Sequence, residues 1–117
     1  MEFKGILNEE NLFEMANLSK RRHKYLPANL YISYKSASCN ARIKIQKDYN
    51  DNIHSNNTFS MTVPKKEIVG DTGELKSEDI EYFKRFIDKN KDILLEYWNN
   101  GINMDTLDVV ESLVFNV

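Results

Sequence analysis

A cluster of basic residues lies near the N-terminus, in the stretch SKRRHKYLP that runs from Ser19 to Pro27. Four of its members carry a positive charge at neutral pH: Lys20, Arg21, Arg22 and Lys24. Such a cluster can bind the phosphates of a nucleic acid or the carboxylates of an acidic protein. Cations are also favoured at the C-terminus of a helix, where they interact with its dipole. The residue types alone leave both interpretations open.

A second group of cations alternates with apolar residues in the segment ARIKIQK. Arg42 and Lys44 would lie on the polar face of a strand whose other face carries isoleucines. Tyr31, in the neighbouring segment LYISY, could stack on nucleic-acid bases beside these cations, as could Tyr25. Cations on a strand equally discourage pairing between sheet edges. The sequence pI of about 5.7 and the absence of a base-reading motif count against nucleic acid.

Aromatic residues offer a different kind of binding site. Tyr97 and Trp98 lie near the end of a long amphipathic segment, and protein interfaces concentrate such residues. A tryptophan on an apolar helical stripe is nevertheless more often part of a core. Together, the candidate binding residues are Lys20, Arg21, Arg22, Lys24, Tyr31, Arg42, Lys44 and Trp98.

The chain contains few residues that could carry catalysis. Its single cysteine, Cys39, and its two histidines, His23 and His54, are too scattered in sequence for a structural zinc site. If extended, the intervening chain would hold Cys39 and His54 roughly 30 Å or more apart, too far for a thiol and its base. Carboxylate pairs lie at expected helix starts, and GDTG lacks the lysine of a phosphate-binding loop. The sequence therefore predicts no catalytic, metal-binding or cofactor-binding residue, and no cofactor.

Charge is divided between the two halves of the chain. The net charge is −2 at pH 7, but residues 1–66 contain 11 Lys/Arg and 6 Asp/Glu, whereas residues 67–117 contain 5 and 12. Such an asymmetry favours an interaction surface. If the two halves pack together, the charges could instead interleave.

Three short segments alternate apolar and polar residues with period two, which predicts half-buried antiparallel strands: LYISY, ARIKIQK and TFSMTV. The segment KEIVG, closed by the turn GDTG, could add a fourth strand. A helix is expected before them, from an N-cap at Asn8 through EENLFEMANLS. The basic cluster would lie in or just beyond its last turn, and Pro27 would end it.

The best-defined element is a long helix that begins with a cap at Ser77 and ends at Gly101, with apolar residues at helical spacing. A second, short helix is expected from a cap at Asp105, although VVESLVFNV also fits a strand. The sequence thus predicts one α+β domain spanning residues 1–117. Its small antiparallel sheet of three or four strands would pack on the long helix, with an N-terminal helix and a short C-terminal helix.

The chain shows no targeting or membrane-spanning pattern. The N-terminus lacks a signal-peptide pattern, and no segment approaches the roughly 18 apolar residues of a membrane span. One cysteine fits a reducing compartment. We expect a cytoplasmic protein that does not enter a membrane; its oligomeric state is open, and a dimer is one option.

The region from Tyr31 to Leu113 resembles a family of small, mostly bacterial proteins defined only as a domain of unknown function. The shared features are a cationic RIKV-like strand, a D-x-F…V strand, and a long helix ending in N-K-x-x-L-L-x-Y-W-N, followed by a short helix. The matching residues are Arg42, Ile43, Lys44, Phe59, Asn90, Lys91, Leu94, Leu95, Tyr97, Trp98 and Asn99. Family members often carry His or Gly-Pro before the first strand, where this chain has SCNA. The resemblance implies the same fold and toxin–antitoxin-like or mobile gene neighbourhoods, which by analogy implies binding rather than catalysis.

Three functions are consistent with these features. The favoured one is a non-enzymatic protein-binding regulator, such as an antitoxin-like, immunity or phage-type inhibitor protein. It would place its basic cluster and strand face on an acidic partner protein, or its acidic C-terminal half in a cationic groove. The first alternative is an RNA- or DNA-binding module that uses the same cations. The weaker alternative is a small nuclease that uses His23 or His54.

Overall fold

The first part of the fold is a β-sheet. The computed structural model describes residues 15–34 and 40–117. Within these ranges, five antiparallel strands follow one another in the order of the chain, each paired with its neighbours. They are β1 (Met15–Leu18), β2 (Leu30–Ser33), β3 (Arg42–Gln46), β4 (Thr58–Thr62) and β5 (Ile68–Val69). The sheet of the described residues is therefore a simple meander with β1 and β5 at its edges.

The second part of the chain supplies the helices. α1 (Ser77–Asn100) runs on into a 3₁₀ turn (Gly101–Asn103), and α2 (Thr106–Ser112) follows. The 24 residues of α1 span about 36 Å, whereas a five-residue strand spans about 17 Å. The helix is therefore about twice as long as a strand of the sheet. None of the helices in the described part of the chain combines the length and the hydropathy that a membrane span requires.

The core lies between α1 and one face of the sheet, here called the inner face. Side chains alternate between the two faces along each strand, as the period-two pattern requires. From the sheet, the buried apolar residues are Ala16, Leu18, Leu30, Ile32, Ile43, Ile45, Phe59, Met61 and Val63. From α1, they are Tyr82, Phe83, Phe86, Ile87, Leu94 and Tyr97. The expected α+β class, with an antiparallel sheet and one long helix, is confirmed.

Two expectations about the first part of the chain are corrected. The sheet of the described residues has five strands rather than three or four, and Met15–Leu18, expected within a helix, is strand β1. Its register with β2 brings Ala16 and Leu18 into the core. This pairing outweighs the local helix signals, because burial against a neighbouring strand overrides propensity. The preceding part of the expected helix, residues 8–14, lies outside the described residues.

The start of α1 is stabilised differently from the expected serine cap. Ser77 is already the first helical residue, and no side chain among the described residues caps the helix at Lys76. Instead, the Tyr49 hydroxyl accepts a hydrogen bond from the Lys76 amide (2.8 Å) and donates one to Asp79 Oδ2 (2.6 Å). Burial and the bond to Asp79 raise the pKa of Tyr49. Glu78 and Asp79 complement the positive end of the helix dipole, as expected.

The end of α1 and the start of α2 agree with the sequence signals. Gly101 follows the last residue of α1, where a Cβ atom would overlap the side chain of Tyr34, so that only glycine fits. The Asp105 side chain accepts a hydrogen bond from the Leu107 amide (2.9 Å) and caps α2. The alternative strand over VVESLVFNV is wrong for its first part, since residues 109–112 are helical.

After α2 the chain returns along α1 as an extended tail. Asn90, which is 3% exposed, donates from Nδ2 to the Val114 carbonyl (2.8 Å) and accepts at Oδ1 from the Val114 amide (2.7 Å). The Tyr82 hydroxyl donates to the Phe115 carbonyl (2.7 Å). The tail therefore satisfies polar groups of α1 that face away from solvent and covers a side of the helix that the sheet leaves open.

Replacing Asn90 with alanine should release the tail. The substitution leaves the amide and carbonyl of Val114 without their partner, so we expect the free energy of unfolding to fall by about 2 kcal/mol. Urea denaturation followed by circular dichroism measures the loss. Asn99→Ala is the control, because the Asn99 amide donates to the Leu95 carbonyl of its own helix. An equal loss in the two variants would contradict a stabilising role for the tail contact.

Candidate binding surface

The face of the sheet that points away from α1, the outer face, carries a fully buried amide. Gln46 lies at the end of β3 on this face and has no exposed surface. Its Oε1 accepts hydrogen bonds from Asn29 Nδ2 (3.2 Å), from the Tyr31 hydroxyl (2.7 Å) and from the His54 amide (2.9 Å). One oxygen therefore joins β2, β3 and the loop that follows β3.

The loop between β3 and β4, residues 47–57, is held against the outer face by the same amides. Gln46 Nε2 donates to Asp48 Oδ1 (2.8 Å) and to the Asn52 carbonyl (3.0 Å). Asn29 Nδ2 donates to the Asn52 carbonyl as well (3.1 Å). The bond from Gln46 holds the pKa of the Asp48 carboxyl below its usual value. Together, Asn29 and Gln46 fix the loop over one end of the sheet.

Tyr31 lies beneath this loop. Its register with Lys44 places it on the outer face, but the ring is only 1% exposed. Burial raises the pKa of its hydroxyl. The ring is inaccessible to nucleic-acid bases, which removes Tyr31 from the candidate binding residues.

The basic cluster forms the turn between β1 and β2 and is not the end of a helix. The amides of Arg22 and His23 donate to the Ser19 carbonyl (3.1 and 3.0 Å), and the Leu26 amide donates to the His23 carbonyl (2.9 Å). Leu26 is buried and anchors the turn in the core. Because a strand precedes the turn, a helix dipole does not explain these cations.

Lys20 ties the turn to the loop. Its backbone amide donates to Asn29 Oδ1 (2.9 Å), and its Nζ forms an ion pair with Asp51 (2.7 Å). The bond from Lys20 holds the pKa of the Asp51 carboxyl below its usual value. The charge of Lys20 is thus compensated within the protein. Lys20 therefore links the turn to the loop and is not a free binding group.

The other cations of the turn are exposed. Arg21, Arg22 and Lys24 form no ion pair with a carboxylate of the described residues. Tyr25 beside them is 60% exposed. Arg21 and Arg22 line a hollow of about 410 Å³ whose other wall is the loop at Ile53. This end of the molecule therefore presents cations together with some apolar surface.

The cations of β3 form a second patch. Arg42 and Lys44 are half-buried on the outer face, opposite Thr62 and Ser60 of β4. About 13 Å of strand separates Arg42 from Gln46, and the loop covers the Gln46 end. The loop therefore lies between the two cationic patches. We refer to the cations of both patches together as the basic side: Arg21, Arg22, Lys24, Arg42 and Lys44.

The charges of the two halves of the chain remain largely separate in the fold. The described residues up to 66 contain nine Lys/Arg and two Asp/Glu, whereas residues 67–117 contain five and twelve. In the described part of the chain, one ion pair joins the two halves, Lys66 with Asp88 (2.8 Å). The sheet layer is therefore basic and the helical layer acidic. The alternative expectation, that the charges of the two halves interleave, is met only at this one ion pair.

Trp98 lies near the C-terminal end of α1. It is only 7% exposed, which agrees with a packed residue, but it also lines a groove of about 500 Å³. The opposite wall of the groove is the turn after β4, at Val63 and Pro64. Trp98 is thus both packed and adjacent to space that a ligand can enter.

The histidines and the cysteine do not form a recognisable catalytic group. The His23 ring stacks on Phe115, with ring centroids 4.7 Å apart, and burial together with Arg22 lowers its pKa. The His54 side chain is exposed, and Cys39 lies outside the described residues. Among the residues that the structure describes, no group of three or more His, Cys, Asp or Glu could hold a metal ion. That the protein has no catalytic or cofactor-binding residue stays a prediction.

Comparison with known proteins identifies neither a family nor a function. No protein-family model, no curated protein and no solved structure matches the chain. The resemblance to small bacterial proteins of unknown function therefore stays a prediction that rests on the sequence motifs.

Sequence reasoning missed the two amides that organise the outer face. Asn29 and Gln46 have residue types typical of exposed strand ends, and nothing in the pattern marks them as buried. The one signal in the sequence is the spacing D-x-N-x-N directly after β3. Asp48 Oδ1 accepts from the Asn50 amide (3.1 Å), and Asn50 Oδ1 accepts from the Asn52 amide (2.9 Å). These side-chain turns make a compact loop whose carbonyls need donors from elsewhere.

Replacing Gln46 with leucine should destabilise the protein and loosen the loop. Leucine offers neither the acceptor nor the donors of the amide, so Tyr31 and Asn29 lose a buried partner. We expect the free energy of unfolding to fall by about 3 kcal/mol in urea, with faster hydrogen exchange at the His54 amide. Lys44→Leu, half-exposed on the same strand face, is the control. Equal effects of the two substitutions would contradict the organising role of Gln46.

His23 should make stability depend on pH. Its pKa is lower in the folded protein than the ordinary value of 6.5, so the unfolded chain binds more protons near pH 6. The free energy of unfolding should therefore be highest above pH 6.5 and fall as the pH is lowered towards about 5. His23→Phe keeps a ring against Phe115 and should flatten this slope. Urea denaturation at several pH values measures the pH dependence of the free energy of unfolding. The same slope in the parent and in His23→Phe would refute the role of His23.

Proposed function

We propose that the protein is a non-enzymatic regulator that binds an acidic partner protein through its basic side, in the cytoplasm. The observation that carries the proposal is the separation of charge between a basic sheet layer and an acidic helical layer. A surface of one sign attracts partners of the opposite sign and speeds their association. The antitoxin-like, immunity and phage-type inhibitor roles implied by the sequence resemblance are particular forms of this proposal.

Within the basic side, Arg21 and Arg22 make the short-range contacts. A guanidinium group binds a carboxylate through two parallel hydrogen bonds, and these two arginines border one hollow. Ile53, which is 42% exposed at the same hollow, adds apolar surface for the partner. Lys20 supports the site indirectly, because its pairing with Asp51 holds the turn against the loop. The remaining cations act at longer range.

A second candidate is an RNA- or DNA-binding module that uses the same cations. The observation in its favour is Tyr25, which is 60% exposed next to Lys24 and could stack on a base. The burial of Tyr31 counts against it, because that ring was the other stacking residue expected from the sequence. A small nuclease is the weakest candidate, since the ring of His23 is stacked on Phe115.

A pull-down from host-cell lysate tests the proposal with three versions of the tagged protein. These are the parent, Arg21→Glu with Arg22→Glu, and a control, Lys89→Glu with Lys91→Glu. The control changes the net charge by the same amount on exposed positions of α1. We expect one stoichiometric acidic protein with the parent and the control, independent of nuclease treatment. The arginine variant should lose it, with an affinity at least tenfold weaker for the purified partner.

Two other results would decide against the protein-binding proposal. Binding that disappears with nuclease, and whose affinity falls by about 10³-fold between 50 and 200 mM salt, would support nucleic acid instead. Equal binding of one partner by all three versions would show that the turn arginines take no part.

A further inference from the structure

The groove beside Trp98 shares no lining residue with the hollow at the turn arginines. Leu95, Trp98 and Asn99 of α1 form one wall. Val63 and Pro64, in the turn after β4, form the other. A volume of about 500 Å³ lies within the range of ligand pockets, roughly 300–1,000 Å³. The groove can therefore hold one or two amino-acid side chains.

Trp98, which lines this groove, carries a hydrogen-bond donor that the described residues leave unused. The residue is only 7% exposed, and its Nε1–H has no acceptor among the described residues. The adjacent Tyr97, by contrast, is satisfied by a hydrogen bond between its hydroxyl and Thr106 Oγ1 (3.0 Å). Buried indole N–H groups normally have a hydrogen-bond partner, because an unpaired buried donor destabilises the folded protein. An acceptor supplied by a ligand would recover this loss.

The rim of the groove carries both signs of charge. Lys65 and Glu67 line it together with the amides of Asn40 and Asn99. Within the described residues, neither Lys65 nor Glu67 forms an ion pair. A rim with one cation and one anion is poorly complementary to a polyanion and too polar for a lipid chain. Its mixture of donors and acceptors is complementary to the alternating N–H and C=O groups of an extended peptide.

We propose that this groove binds an extended peptide segment of a partner protein. An apolar side chain of the peptide lies between Leu95 and Pro64, and a backbone carbonyl accepts the hydrogen bond from Trp98 Nε1–H. Lys65 and Glu67 contact the polar groups of the flanking residues. This site is independent of the basic side and does not rest on the regulatory function proposed for that side.

The chain provides its own reporter for the test, because Trp98 is its only tryptophan. The probe is a phage-displayed library of random 12-residue peptides, selected on the immobilised full chain; enriched peptides are then synthesised. The single indole N–H resonance in a ¹H–¹⁵N spectrum of the labelled protein should shift downfield when a selected peptide binds, since it gains an acceptor. Intrinsic fluorescence of Trp98 gives the affinity in the same titration.

A pair of neighbouring substitutions provides a matched control. Asn99→Arg places a long side chain in the groove and should weaken peptide binding at least tenfold. Asn100→Arg makes the same chemical change one residue away, outside the groove lining, and should leave binding unchanged. Trp98→Phe keeps an aromatic ring but removes the donor, and should weaken binding about tenfold. The folded state of each variant is checked by circular dichroism.

Three results would overturn the proposal: no enriched peptide, peptides that leave the indole resonance unmoved, or equal binding by the Asn99→Arg and Asn100→Arg variants. The result is also separable from that of the lysate experiment. Arg21→Glu with Arg22→Glu should bind the selected peptides as the parent does, because those residues lie outside the groove. A negative lysate experiment therefore does not contradict the groove proposal. A negative peptide experiment likewise does not contradict the function proposed for the basic side.

Discussion

The buried amide of Gln46 is the contact on which the arrangement of the outer sheet face depends. An amide can be buried at little cost only if both its oxygen and its nitrogen find partners, and here they come from β2 and from the loop after β3. The amide nitrogens of Gln46 and Asn29 donate to the carbonyls of residues 50–52. The loop must therefore fold back over the sheet. Tyr31 is then covered, and Asp51 comes within reach of Lys20. The place of the basic turn thus follows from a buried amide pair and not from the residues of the turn alone.

A second constraint is the difference in length between α1 and the strands. The sheet covers one side of α1, and leaving further apolar surface of the helix in water would forfeit about 25 cal/mol for each Å². The tail after α2 covers α1 on another side, fastened by Asn90 and Tyr82. Near the C-terminal end of the helix, a groove remains between Trp98 and the turn after β4.

Much of the fold could be predicted, because the spacing of apolar residues within an element indicates which of its faces is buried. Alternation indicates β2, β3 and β4, and helical spacing indicates α1. β1 is different: four residues give a weak period, and its partner strand decides its conformation. The candidate binding site is harder to predict from the sequence than β1. The alternation places Tyr31 on the correct face, but its cover is a loop that comes later in the chain, and Lys20 is compensated by an aspartate in that same loop. Sequence patterns indicate which face a residue occupies, and they do not indicate what else covers that face.

In the two proposals, the basic side and the groove contribute different components of recognition. Exposed charges act over about 10 Å at 0.1 M ionic strength, so they mainly set the rate at which a partner arrives. The proposed peptide contacts in the groove act only at short range, and their shape and hydrogen bonding would govern how long a partner stays. Arg42 follows Ala41, which lines the groove, so the strand cations begin where the groove ends. An ordinary interface covers about 800 Å² of each protein, or about 30 Å across, which exceeds the length of these strands. A partner of usual size is therefore wide enough to cover the whole length of β3, from Arg42 beside the groove to Gln46 beneath the loop.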